Sequence, residues 1–280
     1  MAGRELLPDG AGRARVGGLL WHLALCGAVV SLLFAVVWAL LSSFRPTSRI
    51  YGLTPSWPTL EHYTRVLAEW PVATLVGNTF VMASAVAVGQ VVIGCLAAFA
   101  LVHLTPRARR PVLALLTVSL AIPPQALIIP QYLMATRLGW LNTEAGLIVP
   151  QLGSSALAVL VLVQHVRAMP VSAAQAARLE GALPREVLWY VVLPALRPAI
   201  AAVAVLVFIT TWNEYLWPLL ITPRTEDTTV QIGLSQFVTA EGTDYGGLLA
   251  ASTLTSLPIL LVYLVAARRI TDAFMQAGAR

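Results

Sequence analysis

The sequence predicts an all-α polytopic membrane protein, and three observations carry that prediction. Hydrophobic residues make up 58% of the 280 residues and charged ones only 11%, far from the balance of a water-soluble domain. Six mostly apolar stretches of roughly 20 residues or more can each cross a hydrocarbon core. All 18 basic residues are arginine, and they fall unevenly on the two sides of those stretches.

The predicted order is a basic tail over residues 1–17, a membrane domain over 18–268 and a short C-terminal tail over 269–280. The tail's arginines suit anionic headgroups, and its glycines predict a mobile segment. The six spans run from Gly18 to Phe44, Thr74 to Leu101, Val112 to Met134, Ala145 to Val166, Ile200 to Ile221 and Gly246 to Ala267. The first is too long for a cleavable signal peptide and has no small-residue cleavage site after it. Between the first two spans, Trp57, Tyr63 and Trp70 are placed as interfacial aromatics on a segment lying along the membrane surface. Pro123, Pro124 and Pro130 remove backbone donors from the third span and must break or kink it. Broken helices at membrane depth are tolerated against protein or a wet cavity, so this span is a candidate pathway wall.

Both tails, Arg107, Arg109 and Arg110, and the stretch from Pro170 to Pro198 share the arginine-rich side, whereas Arg45, Arg49, Arg65, Arg137 and Arg224 lie opposite. The bias puts both termini and that stretch in the cytoplasm. The pI near 9.7 therefore reflects topology, and nucleic acid is not an expected partner. The absence of lysine excludes a Walker A phosphate loop and a pyridoxal Schiff base in this chain. Cys26 and Cys95 lie within spans and read as packing residues. The four histidines are scattered, so no metal is expected.

The segment 169–198 is the most informative. Ser172 and Gln175 have the spacing of a capping box, the alanines between Ala173 and Ala177 favour helix, and Gly181 suits a C-terminal cap. At Gln175, Ala176, Ala177, Gly181, Ala182, Leu193, Pro194 and Pro198 the chain resembles the cytoplasmic coupling loop of bacterial ABC import permeases. Gln175 stands where that family usually has glutamate, and Glu180 where it has aspartate. The resemblance implies that Ser172, Gln175, Ala176, Ala177, Glu180, Gly181 and Ala182 seat in a cleft of an ATPase subunit and transmit its closure.

Asn78-Thr79, Ala97 to Ala100, Ile122-Pro123, the run from Ile128 to Leu152 and Thr211 to Leu219 sharpen this likeness. They resemble the carbohydrate, maltose-type branch of those permeases, its smaller subunit in particular. Within that branch, the runs from Ile50 to Trp57 and from Gln231 to Ser252 resemble glycerol-phosphate importer permeases, the alternative reading for substrate. The family implies a second permease, two ATPase subunits that bind ATP and Mg, and an extracytoplasmic solute-binding protein. It also implies multi-pass placement in a bacterial cytoplasmic membrane, with no cofactor and no enzymatic activity in this chain.

Residues that line such a path are expected to be Asn78, Gln125, Trp212, Asn213, Glu214 and Tyr215, with Gln90 and Gln151 as weaker candidates. Glu214 is the one acidic residue placed deep in a span, and intramembrane carboxylates face a partner or a wet cavity. Its bland alternative is a backbone bond at a helix break before Pro218. An intramembrane hydrolase built on Ser154 and His165 is disfavoured, because one predicted helix separates them by about 16 Å. A proton-coupled carrier would need a relay of buried acids, and Glu214 stands nearly alone.

Overall fold

The computed structural model describes residues 10–50, 52, 57–224, 227–240 and 242–278, with side chains for all of these except 10–20, 171 and 268–278. Most of the outlying basic tail and the end of the C-terminal tail fall outside the described residues. Among the described residues, four helices are long and apolar enough to cross a membrane: Trp21–Ser42 within α1 (Gly10–Ser42), α3 (Val72–His103), Pro184–Trp212, and Tyr245–Ala267 within α13 (Tyr245–Gly278). Two bent pairs complete six spans: α4 (Pro106–Ser119) with Pro124–Arg137, and α6 (Glu144–Leu152) with α7 (Ala156–Ala168). The six-span all-α architecture predicted from composition is the one observed. Its boundaries differ, since helix already runs from Gly10 and continues through Gly278. Neither flank, 10–17 nor 268–278, contains proline, and alanine and arginine favour helix strongly enough to offset the glycines.

The chain divides into two compact units. One unit joins α1, α2 (Glu61–Glu69) as far as Val66, and the stretch Asp244–Thr253 that opens α13. Phe44 stacks on Tyr63 at 4.9 Å, and Ser43 Oγ shares a 2.6 Å hydrogen bond with the Tyr63 hydroxyl. His62 is fully buried, with Nε2 2.9 Å from the Arg45 carbonyl, and its ring occupies the space a Cβ on Gly246 would need. Arg65 and Asp244 close the unit with a 2.5 Å ion pair.

The other unit holds the remaining elements, with α3 at its centre against α7 and α10 (Leu193–Trp212). Close approach is required here: a Cβ on Gly94 would lie 2.9 Å from Leu162 and 3.3 Å from the Ala158 backbone. Leu75, Ala83, Val86, Ala98, Leu162 and Val163 fill the resulting core. Trp70, expected at the membrane interface, is instead buried, edge-on to Phe237 and against Gly233 of the short helix α12 (Val230–Ser235). Trp57 is 92% exposed.

Three spans are interrupted. The third bends by 91°, passing from α4 through a 3₁₀ turn at Pro124–Leu127 into α5 (Ile128–Arg137). The fourth bends by 48° between α6 and α7, which the sequence reading did not anticipate, so Ser154 sits in a break and not on the helix that carries His165. The fifth stops at Trp212 and resumes as α11 (Leu216–Ile221). It also begins earlier than Ile200. Pro184 opens the turn α9 (Pro184–Glu186), a π turn at Val187–Val192 follows, and α10 continues without interruption. Proline is preorganised for a first helical position, and the Glu186 carboxylate accepts the Leu183 N–H at 2.7 Å, so the helix starts there. Only the front of the 169–198 segment therefore stands apart from the spans.

Candidate functional site: a cavity at three helix breaks and an exposed helix

The three breaks converge. Pro124 and Gln125 from the third span, Ser154 from the fourth and Glu214 from the fifth line one cavity of about 320 Å³, with Gln131 of α5 and Gln90 of α3. Its apolar wall includes Ile128, Leu157, Leu206 and Trp217.

Each break leaves backbone groups to satisfy. At the fourth span, Pro150 lies inside α6 and has no N–H to offer the carbonyl four residues back, that of Gly146. The Trp217 indole N–H fills that gap, donating to the Gly146 oxygen at 3.0 Å in a buried position. The Gln90 amide donates to the Gln151 carbonyl at 2.8 Å, and Gln151 donates to the Leu147 carbonyl at 2.8 Å. At the fifth span, Glu214 Oε1 accepts the N–H groups of Leu216 and Trp217 at 3.2 and 3.3 Å, capping the start of α11.

Beyond the breaks, Met82, Ala135, Leu147, Trp217 and Ile221 form a buried cluster, with Tyr132, Trp140 and Ile148 against it. The loop from α5 to α6 is fastened to the end of α11: Asn142, at φ 55°, donates its N–H to the Ile221 carbonyl at 2.8 Å.

Six residues were expected along the path, and the structure separates them. Gln125 and Glu214 line the cavity. Trp212 is 2% exposed and packs on Phe208, so it is core. Asn213 donates to the Ile209 carbonyl and accepts from Gln231. Tyr215 is exposed and is not part of the cavity wall. Asn78 lines a separate cleft of about 120 Å³ with Glu144 and Asp227, and donates to the Thr228 carbonyl at 3.1 Å. Beside it, Thr79 Oγ1 accepts the Val230 N–H at 2.9 Å, so this pair anchors the segment before α12. Of the two readings of Glu214, the backbone bond at a helix break before Pro218 is the one the geometry shows, and the same residue also lines the cavity. Sequence reasoning missed Gln131 and Thr210 in the cavity wall. The spacing of four between Thr210 and Glu214 was the available signal.

The expected docking helix is α8 (Val171–Leu179). Its N-cap is Pro170, with no side-chain bond there, which corrects the expected capping box. Proline turns the chain into helix before Ser172, whose hydroxyl is then already inside the first turn. Gly181 at φ +89° ends the helix, its N–H donating to the Arg178 carbonyl while Ala182 donates to that of Ala177. This double closure is the left-handed termination that glycine permits. Ser172, Gln175, Ala176, Glu180 and Gly181 are exposed, with Ala177 and Ala182 half-buried. Arg178 donates to His103 Nε2 at the end of α3. A guanidinium can only donate, so the imidazole proton resides on Nδ1, which lies 2.7 Å from the Phe99 carbonyl.

A family model described as binding-protein-dependent transport system inner membrane component matches residues 90–274. The chain belongs to that family. Like its relatives, this permease is the transmembrane subunit of an ABC importer and is a multi-pass inner-membrane protein. An sn-glycerol-3-phosphate transport system permease protein of Rhizobium meliloti (strain 1021) is 31% identical, over 90% of the permease and 94% of that protein. An arabinooligosaccharides transport system permease protein of Halalkalibacterium halodurans is 28% identical over 88% and 91% of the two chains. A lactose transport system permease protein of Rhizobium radiobacter is 24% identical over 94% and 97%. In fold, the permease matches a chain of a bacterial ABC transporter for the import of alginate, with TM-score 0.70, 14% identity and coverage of 94% and 100%.

Proposed function

We propose that the permease moves a carbohydrate or polyol by alternating access as the smaller subunit of a pair, driven through α8 by separate ATPase subunits. The observation that carries this reading is the exposed, glycine-terminated α8, held to α3 by Arg178 at one end of the helix bundle. In this mechanism two ATPase subunits bind ATP and Mg, their closure displaces α8, and the broken spans rearrange around the cavity. An extracytoplasmic binding protein delivers the solute, and both termini and α8 are cytoplasmic, as the arginine bias requires. The names of the lactose and arabinooligosaccharide relatives support carbohydrate; that of the glycerol-3-phosphate relative supports a phosphate ester as the second reading.

Gly181→Val tests the coupling role. Its left-handed φ strains any β-branched residue, so α8 should lose its termination while the spans still insert. Binding-protein-stimulated ATP hydrolysis by the assembled transporter should fall at least ten-fold, with membrane content unchanged, and a cysteine at Ser172 should resist impermeant thiol reagents applied outside cells. Normal stimulation, or external labelling, would refute the assignment.

A further inference from the structure

The chemistry of the cavity narrows the solute class, a step that rests on the importer reading above. Three of its polar residues are already engaged: the Gln90 and Gln151 amides donate to backbone carbonyls, and Thr210 donates to those of Leu206 and Val207. Gln125, Gln131, Ser154 and the largely buried Thr211 are different, since no side-chain hydrogen bond engages them among the described residues. Glu214 uses Oε1 to cap α11, which leaves Oε2 to the cavity. None of the lining residues is basic.

We infer that Gln125, Gln131, Ser154 and Glu214 form a solute subsite for neutral polyhydroxylated molecules, with Glu214 acting as a filter against anions. Amides and a hydroxyl both donate and accept, which matches the dual character of sugar hydroxyls, and a carboxylate oxygen accepts a hydroxyl proton strongly. Leu157, Leu206 and the Trp217 ring offer apolar surface to sugar C–H faces. A volume of about 320 Å³ lies at the small end of ligand sites and suits one or two sugar rings. A phosphate ester fits none of this. It carries a charge of about −1.5 to −2, finds no cation in the wall, and meets a carboxylate that repels it. The subsite thereby separates this permease from the solute named for its 31%-identical relative.

The test uses the complete transporter in membrane vesicles, with Cys26 and Cys95 replaced and Ser154→Cys as a reporter. Cationic and anionic methanethiosulfonate reagents are compared by their rates at that thiol, relative to a free thiol. The cationic reagent should be favoured, and Glu214→Gln, which keeps an oxygen for the α11 cap, should reduce the preference roughly ten-fold. Gln131→Glu should increase it. A preference unmoved by both substitutions would overturn the filter. In the same vesicles, neutral mono- and disaccharides should slow modification and sn-glycerol 3-phosphate should not. Protection by the phosphate ester, or by none of the sugars, would overturn the hydroxyl-reading subsite. Binding-protein-stimulated ATP hydrolysis is read separately. Its absence with the charge preference intact strikes the importer mechanism, and its presence with a flat preference strikes the subsite alone.

Discussion

The third and fourth spans are both broken and both carry proline, yet only the fourth draws donors from other spans to complete the break. In the third span, Pro123 and Pro124 sit at the bend, and neighbouring residues satisfy the freed groups. Ala121 donates to Val118, Ile122 to Ser119 and Ala126 to the Pro123 carbonyl, all at 2.9 to 3.2 Å. In the fourth span, Pro150 precedes the bend; Gly153 and Ser154 serve the Pro150 and Gln151 carbonyls locally, but the Gly146 carbonyl depends on Trp217 of another span, and Gln90 adds a second donor to Gln151. A break repaired locally belongs to its own segment; one repaired from a distance ties several segments together.

The largest disturbance should come from Gly146→Ala. Its Cβ would collide with the Trp140 carbonyl and lie 3.0 Å from Ile221. Overpacking there should cost about 3 kcal/mol, the upper part of the usual range. The thermal unfolding midpoint of the detergent-purified permease, followed by circular dichroism, should fall well below that of the native chain. An unchanged midpoint would show that the buried cluster around Ile221 is loose.

Next is Trp217→Phe, which keeps most of the ring and removes the indole donor. Leaving the Gly146 carbonyl unpaired in a buried place should cost about 1–3 kcal/mol. Pro150→Ala sharpens this test, because alanine restores an N–H able to reach the same carbonyl. The double variant should recover much of the loss, and strict additivity of the two midpoint shifts would refute the orphaned-carbonyl account.

Pro123→Ala should matter least. Pro124 still denies the helix a donor, and the local turns survive, so the midpoint should move by about 0.5 kcal/mol or less in equivalent stability. A large shift would mean that the third break also depends on distant partners.

These differences explain what was legible in the sequence. Six spans, the third break and the glycine stop at Gly181 rest on short-range chemistry, and the residues that decide them are neighbours. The fourth break had its proline in plain view, but the group that makes it tolerable lies 71 residues away. Composition cannot name such a partner. Trp217 stands three residues after Glu214 in the sequence, and its donor role emerges only when α6 and α11 meet. Ser172 and Gln175 carried a true capping pattern that lost to Pro170, which stands just ahead and fixes the backbone first. Gln125 and Glu214 were found by polarity at membrane depth. Asn78, Trp212, Asn213 and Tyr215 were chosen on the same ground and lie outside that cavity wall, since polarity alone does not say which way a side chain faces.

The bond from Trp217 to Gly146 has a mechanical consequence. With the buried cluster around it and the Asn142 clasp, it makes α5, α6 and α11 a stiff block stitched from three different spans. Such a block yields little within itself, so strain arriving along α4, α7 or α10 is discharged at the joints between Leu120 and Pro123, Gly153 and Ser155, and Asn213 and Tyr215. Ser154 and Glu214 in two of those joints, and Pro124 next to the third, line the cavity, so the chain concentrates its compliance where the solute would stand.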